Sequence, residues 1–547
     1  MATLRFGGGV DGVPDPRACP AARACGAHAA LTAPPWQAVG DRASRPPSPL
    51  ELLHPDGFVR HAAVLGGGCP DSLRLSLPDR GGDRADLVLL APTNTETRDL
   101  RWIAEVATSA ARALTPDGLV YVLAPFGRRQ AVVRSLARAG LVREATFVHL
   151  PELESSRHLV AADRRALRHA LGCLLAPTPR RRLAAAVAAL PGGELPFHLL
   201  ADVGIVMRRP DARPSAGWLR AVAEGADPGC VIFTRTWRET GGSSVAHVFE
   251  RSASIPSAVV KVGPEAREPA EDAELAGLET VAAQARLAGA DTPVLRATTI
   301  VGGRRALLAS FVPGRSAAML LLGRPELAPA MVERLAGWLE RWSRATRVPD
   351  ALAGEELKER LLDLAADLRG HVPDAPAYES WIGELFAGLS GHLGPLVAAH
   401  NDLTMANVLI EDDRLGVIDW ESARQRDVPL GDLFYAAVDA YAAPGGYVSR
   451  VAAFDSCYSG DGEEAETTRR LIARQRDALA LHPAAVVACF HACWLGHAVN
   501  DVRRSAAADR SEFVEIAARM VRDRDLLAER LGYSVLSGRA IDRQRDG

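Results

Sequence analysis

Net charge, long apolar runs, paired cysteines and lysine are all scarce in this 547-residue chain. The formal net charge is −3, so nothing draws the whole molecule toward nucleic acid or an anionic membrane surface, and neither partner is expected. No run of about 18 apolar residues occurs, so no helical membrane span is expected. The N-terminus, MATLRFGGGVDGVPDPRACP, lacks the basic-then-apolar layout of a secretory signal. Cysteines at 19, 25, 69, 173, 230, 457, 489 and 493 form no CxxC pair, which points to reduced thiols in a cytoplasmic protein. Cys19, Cys25 and His28 lie close together but have no fourth ligand in their Pro/Ala-rich surroundings, so no metal is expected there. Lysine is nearly missing. Lys261 stands alone between positions 1 and 357, in a chain where arginine far outnumbers lysine. That bias reflects genome composition, and it makes a lysine in a chemically important place conspicuous.

What remains is the composition of a globular protein, 48% apolar and 24% charged. The length predicts two or three domains. Residues 1–54 are rich in Pro, Gly and Ala and read as a flexible leader. Residues 85–91 (ADLVLLA) and 119–124 (LVYVLA) are short apolar runs with the character of buried strands. Between them 98–113 has helical spacing and 114–118 makes a turn; 128–139 is a further helix. Strand, helix, strand, helix predicts a parallel sheet wrapped by helices. Residues 211–228 carry Pro, Gly and Asp and read as a linker.

The stretch 55–210 resembles the later half of a class I methyltransferase. The turn Leu114-Thr-Pro-Asp-Gly118 and the closing strand from Val203 match that family's order of elements. The resemblance implies a Rossmann-like domain with a glycine turn for S-adenosylmethionine at Gly66, Gly67 and Gly68. Only about 17 residues separate Gly68 from the strand at Asp86, too few for the units that normally intervene. The expectation is therefore a degenerate, structural or substrate-docking domain rather than a working methyltransferase.

The strongest chemical signal lies at 399–410, AHNDLTMANVLI, followed at 416–421 by GVIDWE. It reads H-x-D-x-x-x-x-N beside an apolar strand, then an aspartate at the end of the next strand. Phosphoryl transfer needs these parts: one carboxylate to face the incoming hydroxyl, an amide five residues later that can turn to a metal, and a second carboxylate that bridges metal and phosphates. The pattern resembles the aminoglycoside phosphotransferase and choline kinase superfamily, relatives of the protein kinases. The continuation Ile418-Asp-Trp-Glu-Ser-Ala423, then Gly431-Asp432-Leu433, agrees. The resemblance implies Asp402 as catalytic base, Asn407 and Asp419 as Mg2+ ligands, and a structural His400 bracing the loop. Asn401 stands where that family often has glycine, at a position with no charge role.

Such a fold needs a nucleotide-binding lobe upstream. Cys230 to Phe233 begin a strand, and Thr240-Gly241-Gly242-Ser243-Ser244 is a turn of small residues whose N–H groups could meet phosphate oxygens. Lys261 sits on a third strand, about 20 residues later, where the resemblance places the lysine that grips the α- and β-phosphates of ATP or GTP. The helix at 268–288 should carry its acidic partner, Glu274 with Glu279 as the alternative. A hairpin through Gly302-Gly303 leads to Ala309, Ser310, Phe311 and Val312, the crossing whose backbone would hold the nucleotide base.

The expected architecture is α/β plus α+β: a methyltransferase-like Rossmann domain, then a bilobal kinase-like domain with lobes at 229–313 and 314–540. The acceptor is expected to be a small molecule, or a Ser/Thr of a precursor peptide. A bifunctional methyltransferase-kinase and a nucleotide-binding scaffold without turnover are the remaining rivals. Helices near 430–440, 466–480, 484–503 and 511–531 would shape the acceptor site. The acids Asp461, Glu463, Glu464 and Glu466 read as a solvated loop. His491, Trp494, His497 and Asn500, three apart on one helical face, read equally as pocket lining or as a packed face.

Overall fold

The computed structural model describes residues 48–68, 84–150, 157–175, 202–235, 243–265, 273–349, 351–387, 389, 391, 393–504, 511–535 and 539–540. Cys19, Cys25 and His28 lie outside the described residues. The five described cysteines are free thiols.

Among the described residues, eleven strands form one sheet. They are β1 (Ala62–Leu65), β2 (Ala85–Leu90), β3 (Leu114–Val122), β4 (Val142–Leu150), β5 (His158–Ala161), β6 (Val203–Arg208), β7 (Ala226–Arg235), β8 (Ser244–Glu250), β9 (Ala258–Glu265), β10 (Leu295–Val301) and β11 (Arg304–Ser310). The order is β1-β2-β3-β6-β4-β5-β7-β8-β9-β11-β10. Only β1, β2 and β3 run parallel; every other neighbouring pair is antiparallel. The parallel sheet expected from sequence therefore extends over three strands. β6 enters antiparallel between β3 and β4.

The local reasons are plain. Leu87 and Leu89 of β2 face one core while Val88 and Leu90 face another, so a continuous apolar run satisfies both sides of a covered strand. Helix Leu100–Ala113 is capped by Asp99, whose side chain accepts from the N–H groups of Arg101 and Trp102. It turns Ile103, Ala107 and Ala110 to the sheet. The expected turn at 114–118 bulges out of β3, because Leu114 and Leu119 pair with Ala85 and Leu87.

The leader and linker readings meet a different picture at their described ends. Leu50, Leu52, Leu53, Ala216, Trp218 and Leu219 are all buried. Trp218 Nε1 donates to the Leu52 carbonyl at 2.8 Å. These segments close an apolar core that runs along the sheet from Leu87 on β2 to Leu308 on β11. Between the two halves β5 and β7 pair directly, His158 opposite Thr234. The apolar residues of 211–228, and not its Pro and Gly content, decide its place.

The remaining strands relevant to the site are β12 (Arg315–Ser316), β13 (Val397–Ala399), β14 (Val408–Glu411), β15 (Arg414–Val417) and β16 (Arg424–Asp427). They sit among helices that share one core, including Ala328–Thr346, Gly431–Ala442, Glu463–Leu479 and Pro483–Arg504. Glu463, Glu464 and Glu466 form the first turn of a helix rather than a loop; acids there complement the helix dipole. His491 is buried with its Nδ1 2.7 Å from the Tyr378 hydroxyl, and Trp494 is buried too, so this part of the polar–aromatic stripe is a packed face. Among the described residues no single helix is long and apolar enough to cross a membrane.

Candidate active site

Strand alternation sets the first half of the site. Val260 and Val262 point into the sheet core, so Lys261 between them points to the opposite face. There Lys261 Nζ lies 2.9 Å from Glu274 Oε2, 2.8 Å from Asp419 Oδ1 and 3.6 Å from Glu421 Oε2. Burial pushes the ammonium's pKa down, but Glu274, Asp419 and Glu421 outweigh it and hold the pKa above the ordinary lysine value. Burial raises the Glu274 pKa, and Lys261 works against that. Glu279, the alternative partner, is exposed.

Glu274 opens a helical segment, 273–287, that passes through a π-helical turn at Gly277–Val281. Gly277 lets this segment lie against the backbone beyond Asp419: a Cβ there would come within 2.1 Å of the Trp420 carbonyl oxygen. Gly277→Ala is therefore expected to push the helix away and destabilise the fold by about 2 kcal/mol, as overpacking does. Helix propensity alone would instead stabilise the variant by about 1 kcal/mol. Denaturant unfolding separates the two signs, and a gain in stability would rule out the close approach.

The second half of the site is the loop after β13. His400 is buried. Its Nδ1 accepts from the Asp402 N–H at 3.3 Å, and its Nε2 faces the Ile418 carbonyl at 3.1 Å. One nitrogen must accept and the other donate, so the ring is the neutral Nε2–H tautomer; burial lowers its pKa. Asp432 receives the N–H groups of His400 and Asn401 at 2.7 and 2.8 Å. Asp439 receives that of Met405 at 2.6 Å and is itself bound by Tyr447 and Arg450. Asn407 Nδ2 donates to the Asp402 carbonyl at 2.9 Å and lies 3.5 Å from its carboxylate. The Ile418 N–H donates to the Asn407 carbonyl, which ties the loop to the strand end carrying Asp419.

Two loop residues have left-handed backbones, Asn401 (φ +61°) and Asp419 (φ +68°). Glycine and asparagine are the residues that enter this region most readily, and Asn401 does so here. Its amide also donates to the Ser422 carbonyl and to Asp427.

The other expected site residues fall as follows. Gly241 and Gly242 lie outside the described residues. Ser243 and Ser244 are buried, and Ser244 is laddered with Val262 at the start of β8. The Ser310 N–H donates to the Val294 carbonyl, its hydroxyl accepts from the Val294 N–H, and the Phe311 N–H donates to Ser257. Val312 packs against Gly416. Glu421, Asp427 and Asp439 were missed. Glu421 stood two residues after Asp419, whereas Asp427 accepts from the Asn401 amide and Asp439 from the Met405 N–H, contacts distant in sequence that leave no spacing signal.

Glu274, Asp419 and Glu421 offer carboxylate oxygens within 4.8 Å of one another, a donor set that suits a hard divalent cation. In the first half of the chain the glycine turn at 66–68 makes its hydrogen bonds internally. The Gly67 N–H donates to Glu96 and the Gly68 N–H to the Ala91 carbonyl, so these two donors are taken.

Residues 238–495 match the model of the phosphotransferase enzyme family. Similar solved structures include a choline/ethanolamine kinase family protein from Mesorhizobium loti, at 17% identity over 57% of this chain and 93% of that one, TM-score 0.34. A thermostable mutant of an aminoglycoside phosphotransferase, in ternary complex with ADP and hygromycin B, is 15% identical over 56% and 97%, TM-score 0.37. A macrolide 2'-phosphotransferase from Brachybacterium faecium is 19% identical over 55% and 96%, TM-score 0.32. The curated proteins yield no match, and none of these comparisons supports the methyltransferase resemblance of residues 55–210. The chain therefore carries, in its C-terminal part, a domain of the phosphotransferase enzyme family.

Proposed function

We propose that this domain transfers the γ-phosphoryl group of ATP or GTP to a hydroxyl of a small molecule. The observation that carries this reading is the convergence of Lys261, Glu274 and Asp419 within 2.9 Å contacts, beside a loop whose every turn is tied down and which presents Asp402.

Lys261, held straight by Glu274, would neutralise phosphate oxygens and fix their position. Asp402 would accept the proton of the acceptor hydroxyl as the new P–O bond forms. Asn407, whose amide nitrogen is committed to the Asp402 carbonyl, keeps its amide oxygen for other work. Asp419, with Asn407 and Glu421, would hold Mg2+, which supplies charge neutralisation at the phosphates. Catalysis of this kind is positioning and electrostatics. The acceptor side would be bordered by Tyr435, which is buried and stacks on His497 at 4.2 Å.

The test is ADP release from MgATP or MgGTP by the full chain, screened against amino sugars, amino alcohols, nucleosides and ribosomal peptides. Acceptor-dependent turnover on the order of 1–100 per second is expected with the right small molecule. Turnover only with a peptide would move the reading to a precursor-peptide kinase. Nucleotide binding without ADP release from any acceptor class would leave a scaffold.

A further inference from the structure

The first half of the chain sends one short element to the crossing between the lobes, against Phe311 and β12. The helical turn Arg164–His169 and the π-helical turn Ala170–Leu174 that follows it are clamped to β7 and β8. Arg165 binds Asp163 and Asp227 and donates to the carbonyls of Glu250 and Arg251. Ala166, Leu167 and Ala170 pack with Cys230, Ile232 and Phe249. Val245 lies opposite Lys261 and His247 opposite Val259, so His247 and Lys261 share one face of the sheet. Beyond it the 170–174 turn touches β12, past the crossing between the lobes.

At the end of that helical turn His169 meets the crossing itself. Its ring centroid lies 5.3 Å from Phe311 and 5.8 Å from His247, and His247 lies 6.1 Å from Phe311. His169 is only 6% exposed. Its Nε2 and the Nδ1 of His247 are buried with no hydrogen-bond partner. Burial lowers both pKa values, His169 to about 4 and His247 to about 3. Each ring is then neutral at pH 7, with one donor and one acceptor nitrogen. A polar nitrogen buried without a partner is costly, and here two imidazoles that each carry one lie side by side at the crossing. In the backbone next door, the N–H groups of Ser310 and Phe311 already donate to the Val294 and Ser257 carbonyls.

On the kinase reading, a nucleotide whose phosphates met Lys261 would lay its base toward this crossing. We propose that His169, supplied by the first half of the chain, is part of the nucleotide-base site, where His169 Nε2 and His247 Nδ1 hydrogen-bond to the edge of a purine. This rests on the kinase reading and gives the N-terminal half a role in it: that half completes the base site of the kinase lobe.

Calorimetric titration of the full chain tests this with three probes: ADP, GDP and inorganic tripolyphosphate, which has no base. His169→Phe keeps the ring and removes its nitrogens. It is expected to weaken the better-bound nucleoside diphosphate by about 10-fold, the worth of one hydrogen bond, and to leave tripolyphosphate unchanged. His169→Gln should recover part of the loss. Unchanged nucleotide binding by His169→Phe overturns the proposal. Tighter binding also overturns it, since that is what removing a plug from the site would give, and so does equal weakening of tripolyphosphate. Should melting show His169→Phe to be misfolded, His247→Phe makes the same distinction from the opposite side of the site. If the unaltered chain binds neither nucleotide, the kinase reading fails, and this inference with it.

Discussion

Asp402→Asn is expected to lower the rate of phosphoryl transfer by about 10²–10⁴-fold, the usual worth of a positioned general base, while nucleotide affinity stays within about two-fold of the unaltered chain. The structure makes this a clean substitution. The loop is held through backbone atoms: the Asp402 N–H donates to His400 and its carbonyl accepts from Asn407. Asp432 and Asp439 secure the residues on either side. Asparagine preserves size and removes the negative charge, and with it the ability to take a proton. Steady-state ADP release at saturating nucleotide measures the rate, and calorimetry measures the affinity. A variant within 10-fold of the normal rate would remove Asp402 from the chemistry.

Lys261→Met should have the next largest effect, and on two quantities at once. Loss of the phosphate contact is expected to lower kcat/KM by about 100-fold or more, equivalent to about 3 kcal/mol of transition-state stabilisation. The fold should suffer as well. Lys261 is the cation between Glu274, Asp419 and Glu421, whose side chains are only 11–27% exposed. Removing it leaves three close carboxylates facing one another, a loss of about 2–3 kcal/mol for a partly buried cluster. Added Mg2+ should restore part of that stability in the variant, because the same oxygens suit a hard divalent ion. Urea unfolding with and without Mg2+ checks both signs. A variant as stable as the parent, with no response to Mg2+, would mean that the carboxylates do not depend on the lysine.

The site was more legible than the fold. His400, Asp402, Asn407 and Asp419 occur at short, fixed spacing between two apolar strands, and β14 and β15 follow directly from those runs. Lys261 was visible because lysine is so rare here. The choice of Glu274 over Glu279 needed coordinates, since both lie on one helix and only the packing of Gly277 on Trp420 selects the face. Asp432 was visible only as part of a motif. Its work, accepting two loop N–H groups, is long-range and carries no periodicity. In the first half, β2, β3 and helix Leu100–Ala113 emerged from apolar runs and helical spacing. The antiparallel entry of β6 and the β5–β7 pairing did not, because strand neighbours far apart in sequence are set by the edges left available and not by local pattern.

That β5–β7 pairing has a mechanical consequence. In a two-lobed enzyme, closing over substrate is a rotation of one lobe against the other, and the smaller body usually swings. Here the strands that carry Lys261 are the far end of an eleven-stranded plate, backed by an apolar core that continues from Leu87 to Leu308. The five strands around Lys261 cannot tilt without bending that plate or parting β5 from β7. On the kinase reading the plate would be the fixed frame, and the helical body bearing Asp402 the part expected to move.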